Sequence, residues 1–227
     1  MAQREKETNI EESKVIFQDF EKNRYPWWKF TLETSYLLFT MFLWFKLVLK
    51  TIELHHEPLS TLIGFVISQF LVDFVSGLVH WGCDTWGKFT TPIVGPTLIR
   101  TFRMHHVDPQ DITIHNFIET NAASSYPMPV FIGACLMCCS GTFVSQTCNW
   151  MIIFAVVVGI FTNECHKWAH MVHKKPHPII QFLQKAGLII SHDKHHVHHQ
   201  GEFNSAYCII NGWMNPILEH FNFWRRL

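Results

Sequence analysis

Met151-Ile-Ile-Phe-Ala-Val-Val-Val-Gly-Ile-Phe-Thr162 runs almost directly into His166-Lys-Trp-Ala-His170, and a turn-rich link leads on to Ser191-His-Asp-Lys-His-His-Val-His-His199. An apolar run therefore delivers a block of imidazoles to a membrane surface. His166 and His170 are four apart, so on a helix they share a face. His195, His198 and His199 have the i, i+3, i+4 spacing of a second face. Two such faces can converge on a metal, for which neutral imidazole is a good ligand. The block is neither contiguous nor terminal, so it is not a tag. The plainer reading, solvated histidines on a basic surface helix, has to be weighed against the rest of the chain.

Composition points the same way. Of 227 residues, 48% are hydrophobic and only 16% charged, where a soluble domain carries about 25% charged residues. Nine Trp and twenty Phe suit a membrane protein with short polar loops, and sixteen His are the outlier. Formal net charge is zero, so no field draws the chain to nucleic acid. The seven Cys suggest no disulfide framework. Cys135 and Cys138 form a C-x-x-C inside an apolar run, where Cys packs as a small hydrophobe.

Residues 1–29 read as a polar N-terminal arm of mixed charge, without the pattern of a secretory signal. Tyr25-Pro-Trp-Trp28 marks an interface, and residues 30–227 form one membrane domain. Apolar runs over 31–50, 59–79, 126–143 and 149–165 predict an all-α fold with about four transmembrane helices. The third run is short for crossing roughly 30 Å of hydrocarbon, so the third and fourth helices can also form a re-entrant pair. Asp73 and Gln69 fall inside the second run. Asp73 is either a functional ionisable group or one paired with a neighbour. Four crossings put sixteen of the eighteen Lys and Arg on one side, which favours a cytosolic face. The same side receives every histidine cluster.

Those clusters are four. His80-Trp-Gly-Cys-Asp84 closes the second run, and its Asp is a ligand or an acceptor that fixes a His tautomer. Arg103-Met-His105-His106 holds adjacent imidazoles that share a helix face poorly, so they serve different metals or sit on a distorted turn. His115-Asn-Phe-Ile-Glu119-Thr-Asn121 is the third and the opening block the fourth. A structural zinc needs four ligands and a catalytic zinc three. Eight or nine neutral donors suit two irons, with room for oxygen. His55, His56, His173, His177 and His220 match no motif.

His80-Trp-Gly-x-Asp84-Thr-Trp-Gly, Phe102-Arg-x-His-His-x-Asp-Pro109, His115-x-Phe-Ile-Glu-Thr-Asn121, His166-Lys-Trp-x-His170 and the HxxHH of His195–His199 resemble the Kua-type lipid desaturases over roughly residues 60–226. That resemblance implies a multi-pass enzyme of the endoplasmic reticulum with a cytosolic histidine-rich di-metal cap. It implies two iron ions, O2, and electrons relayed by cytochrome b5 and its reductase. The implied reaction places a vinyl-ether double bond in the 1-O-alkyl chain of plasmanylethanolamine. Carried over by position, the ligands are His80, His105, His106, His115, His166, His170, His195, His198 and His199, with Asp84 and Asn121 in support. An overlapping HxxHH starts at His192, and the one from His195 fits the family better. Arg100 and Arg103 are expected near the lipid headgroup. Competing readings are an acyl-chain desaturase of another glycerolipid, a membrane zinc hydrolase or metal transporter, and a non-enzymatic membrane adaptor.

Overall fold

Trp27 opens the first helix, four residues earlier than the apolar pattern alone marks. The computed structural model describes residues 25–54, 57–92, 94–200 and 203–227. Most of the N-terminal arm, with His55 and His56, lies outside the described residues. All regular structure among the described residues is helical.

Three helical stretches are long and apolar enough to cross a membrane. They are α1 (Trp27–Glu53), α2 (Pro58–Thr85), and α6 (Phe143–Ile160) continued by α7 (Thr162–His170). Pro58 stands in the first turn of α2, where a missing N–H costs nothing. The run expected at 126–143 differs. Its helix, α5 (Met128–Cys138), has 11 residues, about 16 Å of rise.

The missing length comes from α4 (Phe117–Ser125), which precedes α5 and is separated from it only at Tyr126-Pro127. Pro127 has no N–H to continue the helix ladder. Val130 N turns to Pro127 O, and the Tyr126 carbonyl accepts from Tyr36 Oη of α1 at 2.7 Å. Near the far end, Lys50 Nζ of α1 donates to Leu136 O at 2.8 Å. Together α4 and α5 give about 30 Å of helix alongside α1. The third pass is thus a broken helix, and its first half was hidden in the polar connection.

Helices α2 and α6 pack closely because Ser60, Gly64 and Ser68 put a stripe of small, buried residues on one face of α2. A Cβ on Gly64 would sit 2.8 Å from Met151 N and from Trp150 Cβ, and 2.9 Å from Thr147 O. Backbone cannot yield as a side chain can. Gly64→Ala is expected to destabilise the protein by about 1–3 kcal/mol, read as a lower melting temperature in lipid nanodiscs. An unchanged melting temperature would mean the crossing is looser than this.

Beyond α7 the chain forms α8 (Pro178–Lys185), α9 (His192–His196), α10 (Met214–His220) and α11 (Phe223–Arg226). An irregular segment over 203–213 precedes α10, and Asp73 binds its end to α2. Asp73 Oδ1 accepts from Ile210 N, Asn211 N and Gly212 N at 3.0–3.2 Å, and Oδ2 from Met214 N at 3.0 Å. Ser76 Oγ accepts from Ile209 N. Gly212 takes a φ of +70°, the left-handed value that lets three successive N–H groups face one carboxylate. Of the two readings of Asp73, the paired one describes it. Tyr207, Cys208, Leu218 and Trp224 then pack on Trp81. The C-terminal ends of α2 and α7, with α3 (Arg100–Val107) and α9, gather at one end of the bundle.

Candidate metal centre

Eight histidines converge at that end. Donor atoms of His105, His166, His170, His195 and His199 all lie within 4.8 Å of one another, as do those of His80, His105, His106 and His198. His105 belongs to both groups. A one-turn π-helix over Gly95–Ile99 leads into α3, the kind of local irregularity that recurs at functional sites. It delivers the adjacent pair so that His105 stands between the groups and His106 joins only the second.

The helix spacing of the last block is realised differently from the expectation. Helix α9 stops at His196, and His198 N and His199 N continue as turns to His195 O and His196 O at 2.9 and 3.0 Å. His195, His198 and His199 nevertheless enter the groups. His192 and His196 stack on each other at 5.4 Å outside them, and His192 Nδ1 donates to Ala169 O.

Two buried imidazoles have their tautomer set by backbone. His80 Nδ1 donates to Tyr207 O at 3.1 Å, and His198 Nδ1 to Ser205 O at 2.7 Å. Each therefore turns an Nε2 lone pair into the site. Asp84 Oδ2 lies 3.4 Å from His80 Nε2 and 3.6 Å from the Nε2 atoms of His106 and His198. Both Asp84 oxygens, His80 Nε2 and His105 Nε2 are buried without a hydrogen-bond partner. Inward lone pairs facing an orphaned carboxylate repel one another unless a cation sits between them. Burial, reinforced by neighbouring imidazoles, holds His105 and His195 well below the usual imidazole range and His106 down to about 3. Burial brings His198 and His199 to about 4. The donors are neutral, as ligands must be, so the residues fit a metal.

The first group also has edges. His166, His170 and His195 Nε2 atoms are separated by 2.9, 2.9 and 3.1 Å, and His199 Nε2 is 3.1 Å from His195 Nε2. Nitrogen ligands about 2.1 Å from a metal stand about 3.0 Å apart at right angles and about 3.4 Å apart at tetrahedral angles. These separations lie in the range that ligands of one metal ion show. A cleft of about 320 Å³ opens beside His170, His195 and His199, with Pro109, Gln110 and Phe203 on its rim.

Three expected residues take other places. His115 joins neither donor group; it lies between Asp111 (3.2 Å) and Glu119 (3.1 Å), whose carboxylates raise it to about 9. Its carbonyl accepts from Lys167 Nζ, fastening this loop to α7. A histidine whose folded value is raised adds stability that is complete below the unfolded value, about 6.5, and is lost as pH rises through about 9. The melting temperature of the protein is thus expected to fall between pH 7 and 9.5 more than that of His115→Gln. Parallel profiles would remove the ion-pair account. Asn121 hydrogen-bonds within α4 and to α7. Its Nδ2 donates to Glu164 Oε2 and its Oδ1 accepts from Glu164 N, docking α4 on the first turn of α7 two residues before His166. Arg103, expected at the headgroup, donates from Nε to Cys83 O and from Nη2 to Trp86 O, capping the end of α2.

The segment 203–207 is the part that motif reading missed. Ser205 and Tyr207 act through their carbonyls, and Phe203 stacks on His106 at 4.5 Å with rings 8° from parallel. Phe203 and Ala206 adopt positive φ, strain that persists when the surroundings over-determine it; here Tyr207 Oη donates to Phe203 O.

Membrane-crossing helices that end in two imidazole groups around a shared histidine define a multi-pass membrane protein with a candidate two-metal centre. The family described as the lipid desaturase domain matches residues 69–227, and the chain belongs to it. Over 177 residues it is 40% identical to mouse plasmanylethanolamine desaturase 1, covering 76% of this chain and 65% of that protein. Plasmanylethanolamine desaturase of Myxococcus xanthus is 40% identical over 168 residues, 72% of this chain and 56% of the relative. Chloroplastic fatty acid desaturase 4 of Arabidopsis thaliana is 30% identical over 164 residues, 72% of this chain and 49% of the relative. The chain spans from about half to two-thirds of the length of these relatives. No solved structure matches it.

Proposed function

We propose that the chain is an iron-dependent lipid desaturase that introduces the vinyl-ether double bond into the 1-O-alkyl chain of plasmanylethanolamine. The observation that carries this is the pair of buried donor groups sharing His105, with an orphaned Asp84 beside the second. Eight imidazoles in two adjoining groups exceed what one tetrahedral zinc takes. The names of the mouse and Myxococcus relatives, at 40% identity, favour the ether lipid over an acyl substrate.

In this reading His166, His170, His195 and His199 hold the metal beside the cleft, His80, His106, His198 and Asp84 hold the second, and His105 lies between. Bound iron would supply oxygen activation strong enough to take two hydrogens from adjacent unactivated carbons. Overall, one O2, two electrons and two protons are consumed, the alkyl chain loses two hydrogens, and two waters leave. Cytochrome b5 and its reductase supply the electrons, and the site faces the cytosol from the endoplasmic reticulum membrane. The protein's own contribution is placement. Gln110 Nε2 donates to His170 O at 3.1 Å, fixing one rim of the cleft to a ligand. The ring of Phe203 covers His106 and keeps water from the second group. Position along the cleft selects the carbons, since displacements of about 1 Å cost heavily in rate.

The test is lipid mass spectrometry on cells lacking plasmalogen synthesis at the desaturation step, complemented with the chain or with His199→Ala. Acid-labile vinyl-ether ethanolamine lipids are expected with the intact chain alone. Unchanged alkyl lipids beside a well-expressed intact chain would refute the substrate, and a new acyl double bond would point to another glycerolipid.

A further inference from the structure

Helix α8, in the link between α7 and α9, turns the wrong side outward for a helix in water. Its two glutamines face the protein: Gln181 Nε2 donates to Pro176 O at 2.8 Å and Gln184 Nε2 to Ile190 O at 3.2 Å. The outward face carries Ile179, 61% exposed, and Phe182, 67% exposed, with Leu188 just beyond. Lys174, Lys175 and Lys185 are exposed at the two ends. A surface helix in water shows the reverse arrangement.

Trp213 connects this helix to α2. Its indole Nε1 donates to Gly187 O at 2.7 Å, and its ring lies 5.5 Å from that of Phe70. Phe70 is near the middle of α2, about 15 Å along the helix from His80. The indole therefore ties the end of α8 to the lipid-facing side of a membrane-crossing helix. Val66, Ile67 and Phe70 are exposed there and line an apolar groove with Met214, so the outward face of α8 continues the lipid-facing side of α2.

We propose that α8 lies in the membrane interface, with Ile179, Phe182 and Leu188 among phospholipid acyl chains and Lys174, Lys175 and Lys185 at the headgroups. Ile190, pinned by its N–H to Ile210 O at 2.7 Å, follows two residues before His192. His192 and His196 line the cleft. The mouth of the cleft is thereby brought to the lipid boundary, and a phospholipid chain reaches the donors from the bilayer, not from water. The placement of α8 rests on the membrane-crossing fold and is independent of the chemistry proposed above.

The test puts p-benzoylphenylalanine at Phe182 or, as control, at Lys88 in the loop after α2. The whole protein is irradiated in nanodiscs of phosphatidylcholine and phosphatidylethanolamine, and its peptides are read by mass spectrometry. Phospholipid adducts are expected at 182 and not at 88. Crosslinks to a second copy, or no lipid adduct at 182, overturn the proposal whether or not the protein desaturates anything. As a second measurement, Phe182→Glu should lower turnover of nanodisc-embedded substrate about tenfold and of micellar substrate less than about twofold. Equal effects in the two settings would reject a role in delivery.

Discussion

His105→Ala is expected to empty both donor groups, whereas His198→Ala empties one. Elemental analysis of purified protein should fall from about two metals per chain to below one for His105→Ala and to about one for His198→Ala. The reason is position. His105 is the histidine common to the two groups, with ring centroids 5.5 Å from His80 on one side and 4.6 Å from His166 on the other. Its one Nε2 lone pair can complete only one set at a time, but its removal leaves an opening lined by the inward lone pairs of both sets, so neither metal position stays enclosed. Desaturation should drop by more than about a hundredfold, beyond the 10- to 100-fold typical of losing an outer-shell partner. Activity alone would not separate the variants; the metal count does. If His105→Ala keeps as much metal as His198→Ala, the shared position is wrong and the two groups are independent.

How much of this could be seen in the sequence depends on whether a residue acts through its side-chain type. The imidazoles of His80, His105, His106, His166, His170, His195, His198 and His199 were visible as a cluster because a donor group is made of that side chain itself. Ser205 and Tyr207 were invisible because they orient His198 and His80 through carbonyls, which every residue carries. His115 shares the residue type of the two donor groups, and only three-dimensional placement shows it apart from them, between Asp111 and Glu119. In the fold, the long apolar runs announced α1, α2 and α6. The third pass was obscured because α4 is too polar to read as membrane helix, and Tyr126-Pro127 divides it from α5. Small residues on α2 and the placement of α8 depend on which face meets which neighbour, and apolar content does not encode that.

Asp73→Ala is expected to be the most damaging substitution outside the donor groups, lowering stability by on the order of 4 kcal/mol or more. A buried carboxylate that accepts four backbone N–H bonds makes charge-assisted contacts of about 1.5–3 kcal/mol each. Alanine leaves all four donors buried and unpaired at 210, 211, 212 and 214, where no side chain replaces the acceptor. Asp73→Asn isolates the cause. Its carbonyl oxygen still accepts from Ile210, Asn211 and Gly212, but its amide nitrogen meets the Met214 N–H donor to donor. That variant should lose about 1–3 kcal/mol. The consequence reaches the metal centre, because the chain freed from α2 is the one whose Ser205 and Tyr207 carbonyls fix His198 and His80. Asp73→Asn should therefore fold and yet lose metal from the second group before the first. Melting curves in nanodiscs give the order wild type, Asn, Ala, and metal counts give the coupling. A full metal complement in an Asp73→Asn protein with a lowered melting temperature would confine the carboxylate to holding the fold. An Asp73→Ala protein as stable as wild type would deny it even that.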